Sequence, residues 1–261
     1  MPRLENKVVL LSGGASGIGA ETARQVVREG GKAVLADRDE AKGRALAAEL
    51  GTSAHFVPLD VTQEASWQAA VAATVEKFGA LHGLLNAAGI GVRNSIEDCT
   101  LEEFRRVNDV NSLGTFLGCK TAISAMKDSG GGSIVNISSV LGLRGAAYAM
   151  AYCASKGAVR TLTKSVALHC AQMKYDIRCN SVHPGGVDTP IFNPLWQAMG
   201  REAGKAMIDS HHPIGRMAEP GDIGEMILWL ASDLSRFVTG AEFTADGGVT
   251  SGLIRRSSSA S

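Results

Sequence analysis

The sequence lacks an excess of charge of either sign, with 26 lysines and arginines against 26 aspartates and glutamates in 261 residues. This balance argues against nucleic acid or an anionic membrane surface as the main partner. No apolar run approaches the roughly 18 residues that span a bilayer. The first residues, "MPRLENKVVLLSGG", lack the apolar core and cleavage site of a secretory signal. These absences predict a soluble, cytoplasmic protein with no membrane partner.

Paired cysteines are also missing. The five cysteines are widely spread and form no C-x-x-C pair: Cys99, Cys119, Cys153, Cys170 and Cys179. Neither a zinc site nor a disulfide framework is indicated, and we expect reduced thiols packed as small hydrophobic groups and no catalytic metal. With no internal repeat or linker, the length suits one domain, expected over residues 1–250 and followed by a polar tail over 251–261.

Apolar, β-branched runs alternate with helical periodicity along the chain. Strands are predicted at "KVVLLSGG", "KAVLAD", "AHFVPLD", "LHGLLNAAG", "GGSIVNISS", "DIRCNSVHPG" and "GAEFTADGG". Helices are predicted at 18–29, 40–50, 67–78, 101–110, 112–127, 151–170 and 220–232. The alternation predicts an α/β fold of the Rossmann type, a doubly wound parallel sheet of about seven strands with helices on both faces. Ligands of such sheets bind at the carboxyl ends of the strands.

A glycine-rich turn, "SGGASGIG", joins the first strand to the first helix. Gly13, Gly17 and Gly19 allow a tight turn and a close approach of a pyrophosphate to the backbone, and Ser16 and Ile18 lie between them. Glycine also occurs in such turns for purely steric reasons. The position, between the first strand and the first helix, favours a dinucleotide site.

Asp37 ends the second strand, where a carboxylate can bind the adenosine ribose diol. It would repel a 2′-phosphate, which favours NAD over NADP. Arg38, the next residue, is the one feature that weakens this preference, and a surface carboxylate or helix cap is the alternative for Asp37. Asp60, before Val61 at the end of the third strand, either accepts from the adenine amino group or caps the next helix.

The segment "NAAG" ends the fourth strand. Asn86 can bridge strands, and the small residues Ala87 and Gly89 leave room for a cofactor.

The segment "YCASK" places Tyr152 and Lys156 on one face of a helix. A phenol with an ordinary pKa is a poor base at neutral pH, and a nearby ammonium group is expected to lower that pKa. The pair can then exchange a proton with an alcohol while hydride moves to a nicotinamide. An exposed helix face is the alternative for an arbitrary helix.

Two further polar residues are candidates for the site. Ser139 closes the fifth strand and can orient a substrate oxygen, whereas strand alternation directs Ser138 to the opposite side. Asn111 lies in a helical region, where its amide can disturb the backbone bonds and hold a water chain behind the lysine. A polar core residue satisfied by the backbone is the alternative for Asn111.

These motifs together resemble the short-chain dehydrogenase/reductase family over about residues 5–250, with Ser12 in place of a usual threonine and Ala87 in place of a second asparagine. The resemblance implies that Tyr152 is the acid/base and that Lys156 binds the nicotinamide ribose. It implies that Ser139 orients the carbonyl and Asn111 completes a proton relay. It also implies that the turn "HPGGVDTP" lies over the nicotinamide through Pro184, Gly185, Val187 and Thr189.

An apolar segment behind that turn resembles the substrate lid of the family, at about 190–212. It offers Ile191, Phe192, Leu195, Trp196 and Met199, which suit a bulky hydrophobic alcohol or ketone, although core packing explains about half of them. Within the family the chain is most similar to bacterial hydroxysteroid and cyclic secondary-alcohol dehydrogenases. The alternatives are a 3-oxoacyl-thioester reductase, which Arg93 and Arg144 near the site would suit, and a catalytically idle dinucleotide sensor.

Small, apolar faces mark the helices at 101–127 and 151–170. The resemblance implies that they pair across two-fold axes into a homodimer or homotetramer. Packing within one subunit is the alternative.

Overall fold

The computed structural model describes residues 2–252 and contains one seven-stranded sheet in which all paired strands are parallel. The strands are Val8–Ser12 (β1), Lys32–Asp37 (β2), Ala54–Pro58 (β3), Gly83–Asn86 (β4), Gly132–Ile137 (β5), Ile177–Pro184 (β6) and Glu242–Ala245 (β7). Their order is β3-β2-β1-β4-β5-β6-β7. The predicted α/β fold and its seven strands are confirmed. Of the predicted tail, residues 253–261 lie outside the residues that the structure describes.

The helices follow the predicted order, with differences at their ends. They are Gly17–Arg28 (α1), Glu40–Leu50 (α2), Glu64–Phe78 (α3), Leu101–Asn108 (α4), Gly114–Met126 (α5), Met150–Gln172 (α6), Asn193–Met199 (α7), Arg201–Asp209 (α8) and Pro220–Ala231 (α9). A π-helical segment, Asp109–Leu113, joins α4 to α5. The segment predicted as a lid, about 190–212, contains two short helices, α7 and α8.

Alternation along the strands builds two cores, one on each face of the sheet. On β1, Val8 and Leu10 pack with Trp67 on one face, while Val9 and Leu11 pack with Ile223 on the other. Successive strand side chains point to opposite faces, so a continuous apolar run serves both cores. Each such buried side chain contributes about 1.5–3 kcal/mol of transfer free energy.

Strand register brings the polar strand ends to one edge of the sheet. Ser12 pairs with Asn86, and Asn86 pairs with Asn136 on β5. Asp37 ends β2 on the same edge because β1 and β2 are parallel and in register. The topology thus assembles the predicted site residues where parallel sheets bind ligands.

No helix of the described residues is long and apolar enough to cross a membrane. All five cysteines carry free thiols, and Cys119, Cys170 and Cys179 are buried. Within residues 2–252 no cluster of three or more histidine, cysteine, aspartate or glutamate side chains has an arrangement that could hold a metal ion.

Candidate active site

The turn between β1 and α1 has no room for a side chain at Gly13 or Gly19. A Cβ on Gly19 would lie 2.2 Å from the carbonyl oxygen of Gly13, and one on Gly13 would lie 2.9 Å from the amide nitrogen of Ala88. Gly13 and Gly17 also have positive φ angles of 68° and 52°. The N-cap Ser16 makes no side-chain cap bond, so its hydroxyl does not cover the first amides of α1. Such a bare helix N-terminus is suited to a pyrophosphate, and these residues therefore fit a dinucleotide.

We expect Gly19→Ala to abolish this fit. Its methyl group would overlap the Gly13 carbonyl, so the turn must open to accommodate it. NADH fluorescence titration should show a loss of affinity of about tenfold or more, with a lower unfolding temperature.

Gly221→Ala on α9 is the matched control, since its methyl would meet its nearest neighbour at an ordinary 3.6 Å. Equal NADH affinity in Gly19→Ala and the control would show that the turn does not hold the cofactor.

Asp37 is held rigidly beside the turn. Its Oδ2 accepts from the backbone N–H of Ala15 at 3.0 Å, and its Oδ1 accepts from that of Asp39 at 3.0 Å. The N-cap of α2 is Asp39, not Asp37, so the alternative in which Asp37 itself caps the helix is wrong. Each carboxylate oxygen keeps a further lone pair for a ribose hydroxyl.

Asp60 does not cap α3, because α3 begins at Glu64 and Gln63 holds the N-cap position. Its Oδ1 instead accepts from the backbone N–H of Thr62 at 3.0 Å and from the Thr62 hydroxyl at 2.8 Å. The backbone bond is the main cause of the lowered pKa of Asp60. The carboxylate is thereby fixed at the end of β3, next to the buried Val61. Its contact with adenine stays a prediction.

Asn86 bridges strands, as its sequence position suggested. Its amide donates to Oδ1 of Asn136 at 2.8 Å, and Asn136 donates to the Thr163 hydroxyl on α6 at 2.9 Å. Ser12, despite replacing a threonine, accepts from the N–H of Ala88 at 3.4 Å and so ties β1 to the segment after β4. Asn136 was not among the predicted site residues, because nothing in the local sequence pairs it with Asn86.

Tyr152 and Lys156 lie one turn apart at the start of α6, where Lys156 is buried and Tyr152 is half-buried. The ammonium Nζ is 5.7 Å from the centre of the Tyr152 ring and donates to the carbonyl oxygen of Ile137 at 2.7 Å. Gly89 lies beside them, since a Cβ there would be 3.5 Å from Nζ. The prediction that the two side chains lie on the same face of the helix is confirmed.

The expected lowering of the tyrosine pKa does not occur in this structure. Burial raises the pKa of Tyr152 to about 12, against a smaller lowering by a hydrogen bond with Ser139. Burial also lowers the pKa of Lys156 to about 8. Desolvation disfavours both charged forms, and the lysine is engaged by a backbone carbonyl rather than by the phenol.

The two adjacent serines separate as strand alternation predicted. The Ser138 hydroxyl donates to the carbonyl oxygen of Lys156 at 2.8 Å, behind the reacting groups. Ser139 contacts the Tyr152 hydroxyl and accepts from the N–H of Leu141 at 3.1 Å. Ser139 is thus on the side of the phenol.

Asn111 lies in the π-helical segment and is fully buried. Its side chain makes both backbone-type bonds to Ile90, accepting from the N–H and donating to the carbonyl, each at 2.9 Å. It also donates to the Ser155 hydroxyl at 3.0 Å on α6. Asn111 therefore joins the segment after β4 to the helix that carries the tyrosine, while its role in a water chain stays a prediction.

The turn after β6 lies against the glycine-rich turn. Pro184 ends β6, Gly185 follows, and Val187 forms an isolated bridge with Ala218. The methyl group of Thr189 would be 3.0 Å from a Cβ on Gly17. Of the four residues predicted for the nicotinamide end, Thr189 is thus adjacent to Gly17 of the glycine-rich turn.

The side chains of the predicted lid segment fall into two groups. One group forms a small core, and Ile191 lies near the site. Leu195, Ile208 and Met217 are buried together, and Phe192, Trp196 and Met207 pack against them. Ile191 is 40 % exposed and lies 3.7 Å from the position of a Cβ on Gly91, which would itself be 3.8 Å from the Tyr152 ring. Ile191 and the Tyr152 ring therefore both lie beside Gly91, whereas Leu195 belongs to the small core.

A family model described as enoyl-(acyl carrier protein) reductase matches residues 13–250. The chain belongs to the short-chain dehydrogenase/reductase family.

Three curated relatives illustrate its range. A 3-alpha-(or 20-beta)-hydroxysteroid dehydrogenase of Mycobacterium bovis is 46 % identical, covering 96 % of this chain and 92 % of the relative. A trans-4-hydroxycyclohexanecarboxylate dehydrogenase of Sinomonas cyclohexanicum is 46 % identical over 96 % and 95 %. An NADP-dependent (R)-specific alcohol dehydrogenase of Lentilactobacillus kefiri is 42 % identical over 95 % and 98 %.

Proposed function

We propose that this protein interconverts a bulky hydrophobic secondary alcohol and its ketone with NAD. The observation that carries the proposal is the placement of Tyr152 beside Ser139 and Lys156, at the edge of the sheet that also carries the glycine-rich turn. The relatives are dehydrogenases of hydroxysteroids and alicyclic alcohols, which supports oxidoreduction at a CH–OH group.

NAD, when bound, accepts or returns the hydride, and the residues of the chain handle the proton. The Tyr152 hydroxyl gives a proton to the carbonyl oxygen during reduction and takes it back during oxidation. Ser139 holds the same substrate oxygen, and Lys156 lies behind the phenol to stabilise charge that develops there. Asn111 keeps the segment after β4 against α6.

The contact between Arg93 and Tyr148 favours a second substrate class, an alicyclic alcohol that carries an anionic group. The Arg93 guanidinium lies 4.8 Å from the centre of the exposed Tyr148 ring. Gly91, two residues earlier, lies beside Tyr152. Arg144, on the loop before α6, donates to the carbonyl oxygen of Val249 at 3.1 Å. Arg93 can therefore meet a carboxylate or a thioester phosphate at the far end of a bound substrate.

A substrate panel tests these proposals. Reduction of NAD and of NADP would be followed with 3α- and 20β-hydroxysteroids, cyclohexanol, trans-4-hydroxycyclohexanecarboxylate, 2-butanol and a 3-hydroxyacyl-coenzyme A. We expect the highest kcat/KM with NAD and a cyclic alcohol. Turnover of the thioester alone would identify the 3-oxoacyl-thioester reductase, and tight NADH binding without any turnover would identify an idle sensor.

Assembly into a homodimer or homotetramer also belongs to the proposal. Leu113 is exposed at the end of the π-helical segment, Phe116 on α5 and Leu168 on α6. Covering these side chains between subunits would remove apolar surface from water.

A further inference from the structure

The buried imidazole of His212 connects the base of the lid to the turn after β6. His212 follows α8 and is 7 % exposed. Its Nδ1 lies 2.8 Å from the carbonyl oxygen of Ile208, and its Nε2 accepts from the backbone N–H of Gly186 at 2.9 Å. A carbonyl oxygen can only accept and an amide N–H can only donate. These partners therefore require a neutral ring with its hydrogen on Nδ1.

Glycines make the space that this ring fills. A Cβ on Gly185 would lie 2.8 Å from Nε2, and one on Gly186 would lie 2.9 Å from Cε1. A Cβ on Gly247, after β7, would lie 3.5 Å from Cδ2. Side chains at Gly185 and Gly186 would displace the imidazole, so the turn is shaped around it.

The Gly186 peptide is held from two sides. Its N–H is bound by His212, and its carbonyl oxygen accepts from the N–H of Ala218 at 2.9 Å. The next residue, Val187, bridges Ala218 and continues to Thr189 beside the glycine-rich turn. The orientation of Gly186 therefore determines the positions of Val187 and Thr189 relative to the proposed cofactor site.

Two carboxylates face the ring, and both are satisfied by other partners. Asp209 on α8 binds Lys205 at 2.8 Å and accepts from the N–H of Met217. Asp246 after β7 accepts from the N–H groups of Gly248 and Thr250 and from the Thr250 hydroxyl. Neither carboxylate forms an ion pair with His212, and Nε2 accepts its hydrogen bond from the Gly186 N–H.

We propose that His212 is a positioning residue. By accepting a hydrogen bond from the Gly186 N–H, it fixes the turn after β6 relative to the base of the lid. The inference rests on the proposed cofactor site, and it adds a residue that touches neither the reacting atoms nor Tyr152. Losing the acceptor leaves the half-buried N–H of Gly186 without its partner, and we expect the turn to move to satisfy it.

A matched pair of substitutions tests the bond itself. In His212→Asn the shorter amide can still donate to Ile208 but cannot reach Gly186. In His212→Gln the longer amide oxygen can accept from Gly186. We expect the asparagine variant to raise the Kd for NADH and the KM for NAD about tenfold, with a smaller change in kcat, and the glutamine variant to stay within about threefold of the wild type. His211→Asn is the control, because His211 is the exposed neighbour.

NADH binding is measured without turnover, so failure of the proposed substrate leaves this test intact. Equal affinities in the wild type and the asparagine variant would overturn the proposal. Equal losses in both variants would overturn it as well, since they would show that ring packing, and not the accepted hydrogen bond, matters. If His212→Asn does not fold, the glutamine variant decides: wild-type affinity supports the proposal, and a tenfold loss contradicts it.

Discussion

Replacement of Tyr152 by phenylalanine should lower kcat for any accepted secondary alcohol by about 10²–10⁴-fold. The hydroxyl is the only atom removed, and it is the group placed next to Ser139. The half-buried ring keeps the same neighbours. NADH affinity, measured by fluorescence, should therefore remain within about threefold of the wild type.

The raised pKa of Tyr152 sets the sign of the pH dependence. At a pKa of about 12 the phenol is protonated at neutral pH and is ready to donate to a ketone. Oxidation needs the deprotonated form, so its rate should rise with pH, whereas the rate of reduction should not. A pH profile of both directions checks this.

Tyr175→Phe is the control for the tyrosine substitution. Tyr175 packs at the amino end of β6, edge-on to His169 with ring centres 6.2 Å apart, and it follows the end of α6 opposite to Tyr152. Loss of NADH binding together with activity in Tyr152→Phe would show that Tyr152 is structural rather than the acid/base.

Asp37→Asn should shift the cofactor preference. The neutral amide gives weaker hydrogen bonds to a ribose diol than a carboxylate and no longer repels a 2′-phosphate. We expect kcat/KM with NAD to fall about 10–100-fold while kcat/KM with NADP rises, helped by the adjacent Arg38. The relative that is 42 % identical is described as NADP-dependent.

Asp39→Asn provides the comparison, because it removes a carboxylate two residues away that caps α2 and pairs with Lys42. Its NAD/NADP ratio should match that of the wild type. A wild-type ratio in Asp37→Asn would mean that this carboxylate supports the turn through Ala15 and does not select the cofactor.

Most of the fold follows from local pattern. Apolar runs of strand length alternate with amphipathic helices, and that alternation predicts the parallel sheet and its functional edge. Tyr152 and Lys156 lie one helical turn apart, so their proximity is a local property. The glycines of the first turn are equally local, since the turn they form spans only a few residues.

Contacts between distant segments required the tertiary structure. The bond from Asn86 to Asn136 joins different strands, and the bonds from Asn111 to Ile90 depend on a π-helical segment that no local pattern marks. The division of the lid into Leu195 in its core and Ile191 over the site likewise depends on what each side chain meets.

The sequence by itself thus determined the sheet, its order of elements, and the residue types that gather at its carboxyl edge. Only the tertiary structure decided their physical state. A neighbouring ammonium was expected to lower the pKa of Tyr152, but burial raises it. The Lys156 ammonium instead donates to the carbonyl oxygen of Ile137. The His212 ring likewise became visible only through its bond to Gly186, since desolvation and long-range hydrogen bonds depend on segments far apart in the chain.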